Sequence, residues 1–159
     1  MAAVVRDILV RNGAAADAGA IAALVNQAFA VERFFVDGDR TDEAEVRELM
    51  ARGDFLCAET EGELVGCVFL ERRGQRGYFG MLSVSPTRQG RGIGRLLVDR
   101  SEAFFRRAGC EAVDIKIVHL RSELPPYYRA LGYSETGTAP FVDDSLLQAA
   151  HFVLMSKPL

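Results

Sequence analysis

At 159 residues, with 49% hydrophobic and 26% charged side chains, the chain has the balance of one ordinary globular domain, and a single domain over residues 1–159 is expected. A net charge of −3 and a pI near 5.5 leave no basic footprint for nucleic acid, because the clustered arginines gather at one glycine-rich loop. Residues Met1–Asp7 lack the apolar core of a secretory leader and the run Ala18 to Val25 is too short to cross a bilayer, so a cytoplasmic protein without a membrane partner is expected.

In chain order, Ile8 to Arg11 reads as a short strand, and Ala14 to Val31 carries Ile21, Leu24, Val25 and Phe29 at helical spacing. Glu32 to Arg40 has no clear period and is a connection. Thr41 is placed to cap a helix running to Arg52, with acids Asp42, Glu43 and Glu45 in its first turn and Gly53 past its end. Phe55–Glu59 and Leu64–Leu70 form a hairpin across Glu61, Gly62 and Glu63. A polar turn from Arg72 to Gly77 leads to a strand from Tyr78 to Val84, which Pro86 stops. An amphipathic helix follows Gly92 and ends at Gly109. The strand Ala112–Val118 should then lie parallel to Tyr78–Val84 through a right-handed crossover. A short helix begins near Pro125 and stops at Gly132. Tyr133–Thr136 and His151–Met155 supply two last strands around a loop that holds Phe141, Asp143 and Asp144. The order predicts an α/β fold with a mixed, mostly antiparallel sheet, one parallel strand pair and flanking helices.

Cys57, Cys67 and Cys110 are odd in number, form no Cys-x-x-Cys pair and sit among apolar neighbours, as reduced core cysteines do. With only His119 and His151, and no paired spacing between them, no metal is expected.

The most informative stretch is Val84-Ser85-Pro86-Thr87-Arg88-Gln89-Gly90-Arg91-Gly92-Ile93-Gly94-Arg95, a glycine turn between a strand and a helix. Three glycines in five residues let the backbone approach a ligand, and the helix that follows presents unpaired N–H groups and the positive end of its dipole. A phosphorylated ligand is implied. No lysine follows the glycines as a P-loop requires, and Arg95 stands where a dinucleotide loop needs its third glycine.

What fits is Gln89-x-x-Gly92-x-Gly94, which resembles the acetyl-coenzyme A loop of the GNAT superfamily of N-acetyltransferases. Downstream, Tyr128-x-x-x-Gly132-Tyr133 is similar to that superfamily's Tyr-x-x-x-Gly-Phe motif, in register with the first. The resemblance covers most of the chain. It implies the GNAT fold with a splayed parallel pair, acetyl-coenzyme A as co-substrate, no metal, and acetyl transfer to a primary amine of a small molecule or peptide by direct attack. A homodimer is left open.

The same resemblance implies that the backbone of Leu82 and Val84 pairs with pantetheine, and that amides of Gln89, Gly90, Gly92, Ile93 and Gly94 hold the pyrophosphate. Arg88, Arg91 and Arg95 would add charge-assisted contacts. Tyr128 would return a proton to the departing thiolate, a modestly uphill transfer since a phenol titrates near ~10 and a thiol near roughly 8.5. Tyr127 reads as a packing aromatic. The glutamate that some members place on the strand aligns here with Tyr78, so Glu71, His119 and Glu123 are the candidate bases, acting through water. Arg121 stands where many relatives carry Asn. For the acceptor, Phe34, Phe35, Asp37 and Asp39 on one segment and Phe141, Asp143 and Asp144 on another suit a cation with an apolar body. The missing glutamate also motivates a second reading, a non-catalytic acyl-coenzyme A sensor or interaction module.

Overall fold

A computed structural model describes residues 7–159; of the expected absence of a leader, residues 1–6 therefore lie outside the described part. Its elements are β1 (Leu9–Asn12), α1 (Ala18–Ala28), α2 (Glu43–Met50), β2 (Asp54–Thr60), β3 (Glu63–Arg73), β4 (Arg76–Val84), α3 (Ile93–Arg107), β5 (Ala112–Val118), α4 (Leu124–Ala130), β6 (Ser134–Phe141) and β7 (Ala150–Pro158). The helix expected over Ala14 to Val31 tightens at both ends into 3-10 turns, Ala15–Asp17 and Phe29–Glu32, and only its middle is α-helical.

The cap of α2 is Asp42 rather than Thr41. The Asp42 carboxylate accepts from the Glu45 N–H at 2.8 Å, while Thr41 is held by Asn26, whose side-chain oxygen accepts the Thr41 N–H at 3.0 Å. β3 and β4 also run closer together than the sequence indicates, because Arg73 pairs with Arg76 and leaves only a tight turn at Gly74 and Gln75. β6 and β7 are likewise longer than expected.

The seven strands form one sheet in the order β1-β2-β3-β4-β5-β7-β6, with β4 and β5 as its parallel pair. Strand alternation sends one set of side chains to each face. Phe55, Cys57, Cys67 and Phe69 meet Ile21, Val25, Val46 and Leu49 of α1 and α2. Val68, Phe79, Val113, Ile115 and Ile117 meet Ile93, Leu97 and Phe105 of α3 together with Tyr128 and Tyr133. Gly77 sets how near α3 can lie, since a Cβ there would stand 2.4 Å from the Phe105 ring. The three cysteines are free thiols buried in these cores, and burial pushes the Cys57 thiol up to about 11.

The parallel pair is short. Arg76, Gly77 and Tyr78 pair with Ala112, Val113 and Asp114, and there the ladder ends, not along the whole of Tyr78–Val84 as expected. Arg76 clamps the joined end by a two-pronged contact on the Asp114 carboxylate at 2.8 and 2.7 Å. The cause of the parting lies on β4's other edge. Phe69 faces Gly80 and Cys67 faces Ser83, so two residues, Met81 and Leu82, oppose Val68 alone. This is a bulge, with Met81 in the left-handed region at φ 53° and its carbonyl accepting the Ser83 hydroxyl at 3.0 Å. A bulge bends its strand, and β4 turns away from β5.

Candidate active site

The gap between the parted strands is the centre of a cavity of about 930 Å³. At one end, Leu82 and Val84 line it with the β4 edge that β5 has left unpaired. Beside them a 3-10 turn, Pro86–Arg88, carries the chain into the glycine loop, and Gln89 donates weakly to the Val84 carbonyl at 3.4 Å. Gly90 and Gly92 have φ of 78° and 82°, the left-handed region that disfavours a side chain. Gly92 is the N-cap of α3 and the first turn contains no acid and no side-chain cap, so the N–H groups of Ile93, Gly94 and Arg95 are left to solvent or a ligand. An anion suits that end of the helix. Arg88, Gln89, Gly90, Gly92, Ile93, Gly94 and Arg95 all line the cavity. Arg91 is exposed and does not.

Tyr128 and Tyr133 stand at the middle, and α4 places them. Its carbonyl end closes on Gly132 at φ 100°, which turns Tyr133 inward. The Tyr133 hydroxyl donates at 2.8 Å to Glu102 of α3, a carboxylate that also receives Lys157 at 2.9 Å. Tyr128 packs edge-on to Tyr133 with ring centres 5.8 Å apart, and Phe79 lies 6.2 Å away. Only 7% of Tyr128 is exposed, and among the described residues its hydroxyl has no hydrogen-bond partner, so it faces the cavity. Burial pushes the Tyr128 phenol well above its ordinary value, which keeps it protonated at neutral pH. Tyr127 lines the cavity as well, with its hydroxyl 3.5 Å from where a Cβ on Gly94 would stand.

The far end is formed by the segment from Phe29 to Arg40 and by the loop after β6. These are stitched together: the Asp37 N–H donates to the Ser145 carbonyl and the Leu147 N–H to the Phe35 carbonyl, each at 2.8 Å. The expected aromatic residues divide. Phe141 lines the cavity, stacked on Phe152 at 4.5 Å. Phe35 is wholly buried in the core and Phe34 is 57% exposed, packed edge-on to it with ring centres 4.7 Å apart, and neither lines the cavity.

The candidate bases divide in the same way. Glu71 is held by Arg73 at 2.7 Å and Arg52 at 3.8 Å, outside the cavity. His119 is also outside. Its Nδ1 accepts the His151 N–H at 3.0 Å and its ring stacks on His151 at 4.0 Å. Glu123 does line the cavity, bound by Arg121 at 3.1 Å.

Three cavity residues have no sequence motif to announce them. Glu32 is 7% exposed and accepts from Arg121 at 2.8 Å; burial raises its carboxyl above the ordinary range against the pull of that guanidinium. Arg40 bears electrostatically on Glu32, Tyr78, Lys116 and Asp143. Lys116 projects from β5 with its ammonium 4.7 Å from the Phe152 ring centre. The alternation of Val113, Ile115 and Ile117 with Asp114 and Lys116 was the available signal for the last of these. Among the described residues no group of three His, Cys, Asp or Glu side chains is arranged to hold a metal, and no helix is long and apolar enough to cross a membrane.

The site is thus a mixed sheet parted by a bulge, with an uncapped glycine-loop helix on one side of the parting and a buried tyrosine at its centre. The sequence matches the acetyltransferase (GNAT) family over residues 22–133, and the chain belongs to that family. Among solved structures it is similar to yncA from Salmonella typhimurium with its cofactor acetyl-CoA, at 21% identity, TM-score 0.76, over 96% of this chain and 94% of that one. The ribosomal-protein-alanine N-acetyltransferase of Brucella melitensis is 24% identical at TM-score 0.77, over 95% and 99% of the two chains. Ard1 from Thermoplasma volcanium is 15% identical at TM-score 0.81, over 96% and 98%.

Proposed function

We propose that the protein transfers an acetyl group from acetyl-CoA to a primary amine of a small molecule or peptide by direct attack. The observation that carries this reading is the continuity of one cavity from the uncapped start of α3, past the Tyr128 hydroxyl, to the far side of the sheet. The residues present fit the coenzyme. Its diphosphate suits the free amides of Ile93, Gly94 and Arg95, and its pantetheine amides suit the unpaired edge at Leu82 and Val84. Acetyl-CoA supplies the activated acyl group.

The chain's own residues supply the rest. The free β4 edge beyond the bulge would offer a backbone N–H to the oxygen that gains charge during attack. Tyr128 would donate a proton to the departing sulfur. Burial raises the phenol's pKa and keeps it protonated, so that its proton is in place when the sulfur departs. Of the carboxylates that line the cavity, Glu32 and Glu123, both tied to Arg121, are the ones we assign to take an amine proton through water.

Thermal unfolding with acetyl-CoA, coenzyme A and adenosine nucleotides tests the donor assignment. Stabilisation by the first two beyond that by the nucleotides is expected; none at concentrations well above micromolar would refute it. Stabilisation without thiol release for any amine would instead favour a sensor, the reading that the tyrosine at position 78 motivates.

A further inference from the structure

Charges at the acceptor end of the cavity are unevenly matched. Each carboxylate there has a partner: Glu32 and Glu123 share Arg121 at 2.8 and 3.1 Å, Asp39 meets Arg33 at 3.0 Å, and Asp143 accepts the Ser145 N–H and hydroxyl at 2.8 and 2.6 Å. Lys116 has none. Among the described residues no carboxylate lies within 4.0 Å of its ammonium, which rests on the Phe152 ring instead. Among the described residues the one carboxylate within 4.0 Å of Arg40 is Glu45, at 3.9 Å and outside the cavity, while Glu32 and Asp143 feel its charge from further off. Partial desolvation first, and then the like charges of Arg40 and Arg73, hold the Lys116 ammonium below the ordinary lysine value.

The position of Lys116 matters as much as its charge. Tyr78 pairs with Asp114 at the last rung of the parallel ladder, and Lys116 is two residues further on the same face of β5, at the start of the gap. Ile115 and Ile117 point to the α3 face, so Lys116 and Tyr78 point to the α1 face. The cation thus lies across the sheet from the α3 terminus and its arginines, which suit phosphate. It belongs to the acceptor, and the stacked Phe141 and Phe152 rings beside it offer an apolar wall.

We propose that the acceptor is an amine that also bears a carboxylate, a free amino acid or a close relative, with its anionic group at Lys116 backed by Arg40 and its side chain against Phe141 and Phe152. The proposal rests on the reading of the protein as an amine acetyltransferase and names the substrate class for that site.

Acetyl-CoA-dependent thiol release is measured with free amino acids and with their amides, methyl esters and decarboxylated amines. The acids should be favoured about tenfold or more in kcat/KM, the loss typical of a missing hydrogen bond to a charged group, and mainly through KM. In Lys116→Met the ratio of acid to amide should collapse toward one, and in Lys116→Arg it should persist. Stabilisation of both variants by acetyl-CoA shows that they fold. Amides or plain amines accepted as well as the acids, or a Lys116→Met enzyme that keeps the preference, would overturn the proposal and leave acetyl transfer standing. Acceptance of no amine at all would overturn acetyl transfer and this inference with it.

Discussion

Around the glycine loop the cavity is walled by backbone, whereas across the sheet it is walled by side chains from five separate segments. The donor half needs free amides, an unpaired strand edge and closeness, and a stretch of about a dozen residues from Val84 provides them by local conformation. The acceptor half depends on Glu32, Arg40, Tyr78, Lys116, Arg121 and Phe152, whose meeting depends on the whole sheet. Chemistry that is the same for every reaction of the class can be held by backbone, which tolerates change in its side chains. Chemistry that selects one acceptor has to be written in side chains, and those are free to vary around the same scaffold.

The largest expected effect comes from the support under the donor half. Glu102→Ala removes the acceptor of the Tyr133 hydroxyl and the partner of Lys157 within a buried cluster, and should destabilise the fold by about 3 kcal/mol, a fall in Tm of roughly 6 to 12 °C. Calorimetry checks it. A variant that melts with the native protein would mean that the cluster adds nothing to the placement of Tyr128 and Tyr133.

Tyr128→Phe sits where the two halves meet. The ring and its packing on Phe79 and Tyr133 remain, so acetyl-CoA should bind as before while the single-turnover rate drops by roughly 10²-fold. An unchanged single-turnover rate across pH would remove Tyr128 as the proton donor.

Within the donor half, Gly94→Val separates ligand closeness from backbone strain. Gly92 is a poor test, because its φ of 82° strains any side chain whatever the space. Gly94 is inside α3, where a Cβ would make ordinary contacts of 3.5 Å with the Tyr127 hydroxyl and 3.7 Å with Val84. Coenzyme A affinity should fall about tenfold, since a branched side chain there intrudes on the helix terminus, with little change in Tm. Equal affinity would move the diphosphate elsewhere. The smallest effect is expected for Arg91→Ala, whose side chain is solvated outside the cavity: affinity should change by less than about twofold, and a larger loss by titration would show that the loop closes over the ligand.

The same division explains what could be read from the sequence. The glycine loop, the spacing from Gln89 to Gly94 and the step from Tyr128 to Tyr133 are local, and so are the strand and helix periods that gave the order of elements. The parallel pair followed from the crossover, but its early end did not, because the bulge at Met81 depends on register against β3. Glu32 and Arg121 are 89 residues apart and meet only in the folded chain. Phe34 and Phe35 looked equivalent in an aperiodic segment, yet one is exposed and the other is core, beside a long-range bridge between Val36 and Leu146 that no local pattern announces.

Direct attack requires donor and acceptor to occupy the two halves at once, so initial rates with both varied test the account most directly. Acceptor-dependent thiol release, one for one with acetylated amine, should give intersecting double-reciprocal lines, as a complex holding both substrates demands. Parallel lines, the pattern of an acetyl group parked on the protein, or no acceptor-dependent release, would contradict it.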